Sequence, residues 1–203
     1  MRERVMGYID GFNLSFGLRE RGWQRFLWLD LYLLVENVLK THQILAGVKY
    51  FTTRLDGSGS HVLNQKAFLE ANETLGRCSF HFGRYQMQRR RCRQCGAESD
   101  CPSEKMTDVK ITVEILSDAS QDLFDSALLV SGDSDLVPVL QAIDSRFGKR
   151  TIVAFPPRRV SRHLEAAARA YFVIGRSTLS ASQLPSPIQK ANGVTLLRPA
   201  DWT

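Results

Sequence analysis

From Val130 to Leu140 the chain reads VSGDSDLVPVL. An apolar run beginning at Ala127 stops at Ser131, Gly132, Asp133, Ser134 and Asp135 before apolar residues resume. Carboxylates about 5 Å apart repel by roughly 3 kcal/mol per pair at an effective dielectric of 20, so such a grouping calls for a cation. Further acids sit in similar places. VMGYIDGFN, Val5 to Asn13, runs apolar into Asp10, with Gly11 and Asn13 following, and EKMTDV puts Asp108 in the first turn of a predicted helix. Carboxylate oxygens select a hard ion such as Mg²⁺ or Mn²⁺. A bound divalent ion lowers the pKa of its water and stabilises the charge that develops in phosphodiester displacement. Taken singly, each aspartate has a plainer reading as a helix cap or turn residue, and Asp108 and Asp135 also suit a positive helix end. Convergence of separate segments on one place favours a metal site.

Convergence requires a fold that brings strand ends together. Short β-rich runs, Val5 to Asp10, Val48 to Thr53, Ser79 to Met87, Ser126 to Ser131, Arg150 to Phe155 and Tyr171 to Ile174, alternate with segments of helical spacing. This order predicts βα units and a mainly parallel sheet. Asp30 reads as the N-cap of a helix over Leu31 to Lys40, Ser60 opens one running to Leu75, and Ser161 caps another reaching Ala170. Another helix runs from about Ser134 to Arg146. Over 107–119, Val109, Val113 and Leu116 make one apolar stripe and Ile111, Ile115 and Ala119 another, which predicts a nearly buried helix. In a parallel sheet, ligands bind beyond the carboxyl ends of the strands where strand order reverses. Asp10, Asp133 and Asp135 end the first strand and the strand from Ser126, so neighbouring central strands would bring them into one crevice with Asp108.

With 203 residues, 43% hydrophobic and 24% charged, the chain suits one compact domain with a sizeable core. No apolar run is long enough for a membrane span, and the charged start MRERVMGYIDG is unlike a signal peptide, so a cytoplasmic protein without a membrane partner is expected. A net charge of +6 and a pI near 9.4 favour a polyanionic partner. An acidic pocket in a basic protein is therefore a specific combination.

Several of these motifs match one family. YIDGFN at Tyr8 to Asn13, EKMTDV at Glu104 to Val109, LLVSGDSDLVPVL at Leu128 to Leu140 and GKRTIVAFPPRRVSRHL at Gly148 to Leu164 resemble the NYN domain family of the PIN-like nuclease superfamily, in register from Val5 to about Ile174. The resemblance implies a three-layer α/β/α PIN-like (Rossmann-like) fold with a mainly parallel central sheet, and a Mg²⁺- or Mn²⁺-dependent ribonuclease. It implies that Asp10 and Asp133 are core metal ligands, that Asp108 and Asp135 complete the acidic site, and that Asn13 orients water or substrate. A lysine three residues before the helix acid belongs to the family's pattern; here it is Lys105, suited to neutralising a phosphate. The implied reaction is in-line attack on an RNA phosphodiester by metal-activated water, leaving a 5′-phosphate and a 3′-hydroxyl. PIN-like domains often dimerise, so a homodimer is possible. The nuclease domain is expected over 1–180, with a basic Cys-rich insertion at about 89–103 and an extended tail over 181–203.

The insertion, RRRCRQCGAESDC, carries Cys92, Cys95 and Cys101, and Cys78 or His81 could supply a fourth ligand to a structural Zn²⁺ knuckle. Without metal it reads as a flexible basic loop. Its arginines, with Arg158, Arg159 and Arg162, form a basic rim that suits an RNA backbone, although a charge run is commonly just a solvated face. Phe12, Phe16, Trp23 and Tyr85 are candidates for base stacking against the alternative of core packing, and Phe12 and Phe16 are the pair singled out. Ser134 and Ser131 flank the acids and read as hydrogen-bond partners of turn backbone or of a carboxylate, with Ser134 also a candidate substrate contact. Other classes are a non-catalytic RNA- or protein-binding module and a Mg²⁺-dependent phosphatase. GDSD resembles the acidic motif of haloacid-dehalogenase-like phosphatases, but those need a second aspartate two residues after the nucleophile, and position 12 is Phe.

Overall fold

A computed structural model describes residues 2–91, 95–96 and 98–202, with the side chains of residues 88, 90 and 99–103 outside that description. The first strand, β1 (Glu3–Asp10), alternates its side chains between two apolar clusters. Val5 and Ile9 face one, Met6 and Tyr8 the other, which is the period-two pattern of a strand covered on both faces. Around it runs a six-stranded sheet in the order β3 (Ser79–Phe82), β2 (Gln43–Thr52), β1, β6 (Ser126–Val130), β7 (Arg150–Phe155), β8 (Ala170–Val173), every pairing parallel.

Helices α1 (Gly11–Glu20), α2 (Leu31–Glu36) and α3 (Ser60–Leu75) bury Leu14, Leu18, Leu31, Leu34 and Phe68 against one face. Helices α4 (Thr107–Ser120), α5 (Val137–Phe147) and α6 (Arg162–Ala167) bury Ile111, Ile115, Leu140, Ile143 and Leu164 on the other. The expected three-layer α/β/α fold is therefore present. Strand order reverses between β1 and β6, where Ile9 lies opposite Val130. Asp10 and the GDSD turn thus share the crevice at the carboxyl ends of the central strands.

Local signals explain several boundaries. Asp30 caps α2 by accepting hydrogen bonds from the amides of Tyr32 and Leu33 at 3.1 and 3.0 Å, and it pairs with Arg77. The helix stops at Glu36, short of the predicted Lys40, as tighter turns through Leu39 lead into β2. Ser161 caps α6, which ends at Ala167, and Gly148, with a left-handed φ of 62°, ends α5.

Three expectations need correction. The predicted strand Ser79 to Met87 breaks at Gly83; beyond it β4 (Arg84–Arg91) and β5 (Glu98–Lys105) form an antiparallel hairpin outside the main sheet. The basic insertion is therefore largely a hairpin rather than a loop. In α4 the stripe of Ile111, Ile115 and Ala119 is buried, but Val109 and Val113 are 63% and 56% exposed, so the helix is buried on one face only. The last segment, after α7 (Arg176–Ala181), adds the short pair β9 (Ile188–Gln189) and β10 (Thr195–Leu196). It places Leu184, Ile188, Leu196 and Trp202 in the first core cluster, and Trp202 packs beside Trp28 and Phe68.

Beneath α4 lies a polar network that the sequence did not suggest. Tyr8 donates to Asp118 at 2.7 Å, and Lys49 Nζ bridges Glu114 at 2.7 Å and Asp118 at 2.8 Å. Asp118 is buried, so removing its charge leaves the Tyr8 hydroxyl and a largely enclosed ammonium short of partners. Asp118→Ala should lower the free energy of unfolding by about 2 kcal/mol in urea titrations, Glu114 retaining part of the pairing.

Candidate functional site

At the end of β1, Asp10 is 2% exposed. As N-cap of α1 it accepts the Asn13 amide at 3.0 Å on Oδ1, while its Oδ2 accepts Asn13 Nδ2 at 2.6 Å and Ser131 Oγ at 2.9 Å. Burial pushes its carboxyl above the usual range, partly offset by these donors. The Gly132 amide donates to Asn13 Oδ1 at 3.3 Å, the Asp133 amide to Ser131 Oγ at 3.0 Å and the Asp135 amide to Asp133 Oδ1 at 3.0 Å. One chain of hydrogen bonds therefore joins β1, α1 and the turn after β6.

Gly132 is fixed by a close approach. A Cβ there would lie 1.9 Å from the Arg159 carbonyl oxygen, so only glycine lets the Pro156–Arg159 loop cross the turn. Arg158 in that loop is exposed with φ of 61°. Arg159 reaches Glu20 at 2.5 Å and lies 5.8 Å from the centre of the Phe16 ring.

Asp108 enters from the first turn of α4. Its carboxyl is pushed up to about 6, first by burial and then by the charges of Asp10, Asp133, Glu104 and Asp135. Glu104 is a site residue that the sequence reading quoted but did not select. It caps α4 by accepting the Thr107 amide at 3.1 Å and the Thr107 hydroxyl, and a glutamate two residues before a left-handed Met106 carries no distinctive spacing. Lys105, half-buried, ends β5 opposite Arg84. Ser134 is exposed in the turn.

Among the described residues no ion pair reaches Asp10, Asp108, Asp133 or Asp135. A cluster in which Asp10 and Asp108 are raised by burial and by neighbouring acids, and whose donors are all oxygen, fits a hard divalent cation. As they stand, no three His, Cys, Asp or Glu side chains among the described residues are gathered closely enough to hold a metal. Mg²⁺ commonly keeps several of its waters, and a water-filled shell suits this looser spacing.

The proposed zinc ligands are dispersed where they can be seen. Cys78 lies just before β3, half-buried against the core beside the Asp30–Arg77 pair, its thiol pushed up to about 12 by burial, which disfavours the thiolate a metal needs. Cys95 is exposed in the turn of the β4–β5 hairpin. Cys92 and the side chain of Cys101 lie outside the described residues. His81 stacks on Phe51 at 4.8 Å and faces Glu114 at 3.4 Å, away from the acids of the crevice.

Beside the acids, the aromatic candidates do gather. Phe12 and Phe16, one turn apart on α1, stack with centres 6.2 Å apart, and Tyr85 meets Phe12 edge-on at 6.3 Å. With Asn13, Glu104 and Arg159 these rings line an open groove of about 690 Å³. Phe12, Phe16 and Tyr85 also border a second cavity of about 250 Å³ that runs under α1 to Leu14, Phe68 and Trp202. Trp23 packs on Phe26 instead.

The NYN domain family profile matches residues 4–178. The chain is 28% identical over 243 residues to a 6-hydroxy-3-succinoylpyridine 3-monooxygenase of Pseudomonas putida, covering 100% of this chain and 75% of that protein. A crystal structure of a protein of unknown function from Vibrio parahaemolyticus shares the fold, with a TM-score of 0.62, 21% identity and coverage of 90% of this chain and 97% of that one.

The raised carboxyl of Asp108 sets a stability test. Its folded pKa of about 6 exceeds the ordinary 3.8, so the folded state binds more protons between those values. The stabilisation is whole below about pH 4 and is lost as pH rises through about 6. In EDTA, Asp108→Asn should therefore stabilise the fold at pH 8 by on the order of 1 kcal/mol after allowance for solvent screening, with the gain vanishing near pH 4. Mn²⁺ should raise the melting temperature of the unsubstituted protein at pH 8 and have a smaller effect on the variant.

Proposed function

The chain belongs to the NYN domain family of PIN-like nucleases, and from that premise we propose that it is a Mg²⁺- or Mn²⁺-dependent ribonuclease acting at the Asp10, Asp108, Asp133 and Asp135 cluster. The observation that carries this reading is the meeting of acids from β1, the turn after β6 and the start of α4 at the strand-order switch point, with no ion pair to Asp10, Asp108, Asp133 or Asp135 among the described residues; the Asp108 carboxyl there is raised first by burial and then by the neighbouring acids. When bound, a divalent ion supplies the positive charge that polarises the phosphodiester and makes water a competent nucleophile.

The chain's own groups arrange the reactants. Asp10 holds Asn13 and Ser131 in place through its three accepted hydrogen bonds, leaving Asp133 and Asp135 toward the open side of the crevice. Asp108, protonated until about pH 6, is the acid whose ionisation follows compensation of the cluster's charge. Arg159 lines the groove, suited to meet phosphate oxygens, Lys105 at the end of β5 is a further candidate for that role, and Phe12, Phe16 and Tyr85 offer ring faces to bases. Exposed Arg84, Arg89 and Arg91 on the hairpin, with Arg158, extend the basic approach beyond the groove. Among the described residues no helix is long and apolar enough to cross a membrane.

A second reading has one observation in its favour. The Pseudomonas relative is named for oxidation of a substituted pyridine, and the cavity under α1 has room for a single ring. Under that reading the chain acts on a small heteroaromatic compound, with a reductant and dioxygen as co-reactants.

The test is a cleavage time course on end-labelled single-stranded and structured RNA with metal-stripped protein plus Mn²⁺, Mg²⁺ or EDTA. Metal-dependent cutting is expected, with Asp133→Asn reducing the rate at least about 100-fold while RNA binding persists. No cutting by folded protein, together with reductant-dependent dioxygen consumption on 6-hydroxy-3-succinoylpyridine, would transfer the assignment to the second reading. Retained cutting by the variant would remove Asp133 from the site.

A further inference from the structure

We propose that the cavity under α1 receives one unstacked nucleobase of the bound RNA, next to the phosphodiester held at the acid cluster; the inference rests on the ribonuclease reading above. Its floor is apolar and aromatic, formed by Leu14, Leu18, Leu29, Phe68 and Trp202. Phe12, Phe16, Leu55 and Tyr85 line both this cavity and the groove, so the two spaces adjoin at these side chains. At about 250 Å³ it falls just under the range of roughly 300–1,000 Å³ in which pockets bury drug-sized ligands, and it suits one ring system rather than a stacked pair.

Helix α1 joins this cavity to the chemistry. Asp10 caps it and Asn13 in its first turn faces the acids, whereas Leu14 and Leu18 face the cavity. Gly11, directly after Asp10, is part of the cavity wall. A Cβ on Gly11 would come within 2.4 Å of the Tyr50 hydroxyl and 2.8 Å of the Phe51 carbonyl, so glycine keeps the wall close to the acid. A ring in the cavity therefore lies one residue along the backbone from a residue of the acid cluster.

The polar groups on the wall suit a heteroaromatic edge better than a hydrocarbon. Burial pushes the Tyr50 phenol well above its ordinary pKa, so it stays protonated and can donate to a ring nitrogen or carbonyl. His61 and Arg19 stand on the more exposed side of the lining. Gln65 is already engaged, donating to the Thr53 carbonyl at 2.9 Å and accepting the Leu55 amide at 2.8 Å, and it thereby holds Leu55 at the mouth. Phe12 is placed to stack on the base as it leaves the groove.

The experiment uses an RNA with a single mapped cleavage site and walks one abasic ribose through the positions around that bond. Affinity is read by fluorescence anisotropy with Asp133→Asn protein, and occupancy of the cavity by the change in tryptophan emission that is lost in Trp202→Phe protein. Removing the base at one position should weaken binding about tenfold or more, with little effect at most other positions. Two plugs, Ser15→Phe in the wall and Leu55→Phe at the mouth, each checked for an unchanged far-ultraviolet spectrum, should weaken intact RNA by a similar factor and leave the abasic RNA unaffected.

Equal affinity at every abasic position, or intact binding by both folded plugs, would overturn the proposal while cleavage leaves the ribonuclease reading in place. Saturable quenching of Trp202 by a mononucleotide or a pyridine carboxylate, with no positional effect in RNA, would overturn it by giving the cavity to a free small ring. RNA neither bound nor cut by the unsubstituted protein would defeat the ribonuclease reading itself, and this proposal with it.

Discussion

The buried carboxylate of Asp10 is the constraint on which the site depends. A charge removed from water at the junction of strand and helix is costly, and burial raises its pKa for that reason. Three donors from Asn13 and Ser131 offset the cost, and each ties Asp10 to another element. Because β1 lies between β2 and β6, this one side chain ends a central strand, starts α1 and fixes the turn that carries Asp133 and Asp135. Asn13 completes the tie by accepting from Gly132, whose missing side chain lets the Arg159 loop close over the turn.

Helix α4 shows how the fold treats its charges differently at its two ends. Toward its C-terminus, Glu114 and Asp118 share Lys49 and the Tyr8 hydroxyl, and the lysine holds Glu114 below its usual range. At its N-terminus, Asp108 has acids as its charged neighbours. Packing could have supplied a lysine there as it did beneath the helix. The paired end anchors α4 on the sheet, and the unpaired end projects into the crevice, so structural and functional charge are separated by the length of one helix.

The sequence showed those features that arise locally. Asp30 and Ser161 are legible as caps because a short oxygen-bearing side chain precedes an apolar repeat, and the acids at the end of β1 and just after β6 are legible because an apolar run stops abruptly before them. The same pattern predicts that Asp10, Asp108, Asp133 and Asp135 share one crevice, and in the structure the charges of the other three act on the Asp108 carboxyl. What escaped detection depends on contacts distant in sequence or on segments without an apolar signal. β4, RYQMQRRR, lacks the alternation that marks a strand packed on a core, so it merged with β3 in one run and its hairpin was read as a loop. The stripe of Val109 and Val113 matched a buried face by periodicity, and burial depends on what packs there rather than on period alone. The cavity is built from α1, β2, α3 and Trp202 near the end of the chain, and no window of sequence contains it.

Under the proposed ribonuclease reading, the balance between the acidic crevice and the basic surface also implies an order of events. With a net charge of +6 the protein attracts a polyanion at distances near the Debye length, about 8 Å at physiological ionic strength. Inside the crevice the sign reverses, since the acids that add to the effect of burial on Asp108 also repel a phosphate. A strand drawn to the rim can therefore settle its backbone at the acids only as a cation compensates them. Cation and strand should then each strengthen the other's binding by the same factor, because the coupling free energy is shared. The aromatic groove supplies the part of recognition that charge cannot: inorganic phosphate and RNA both answer to the cation, but only a strand carrying bases can use Phe12, Phe16 and Tyr85.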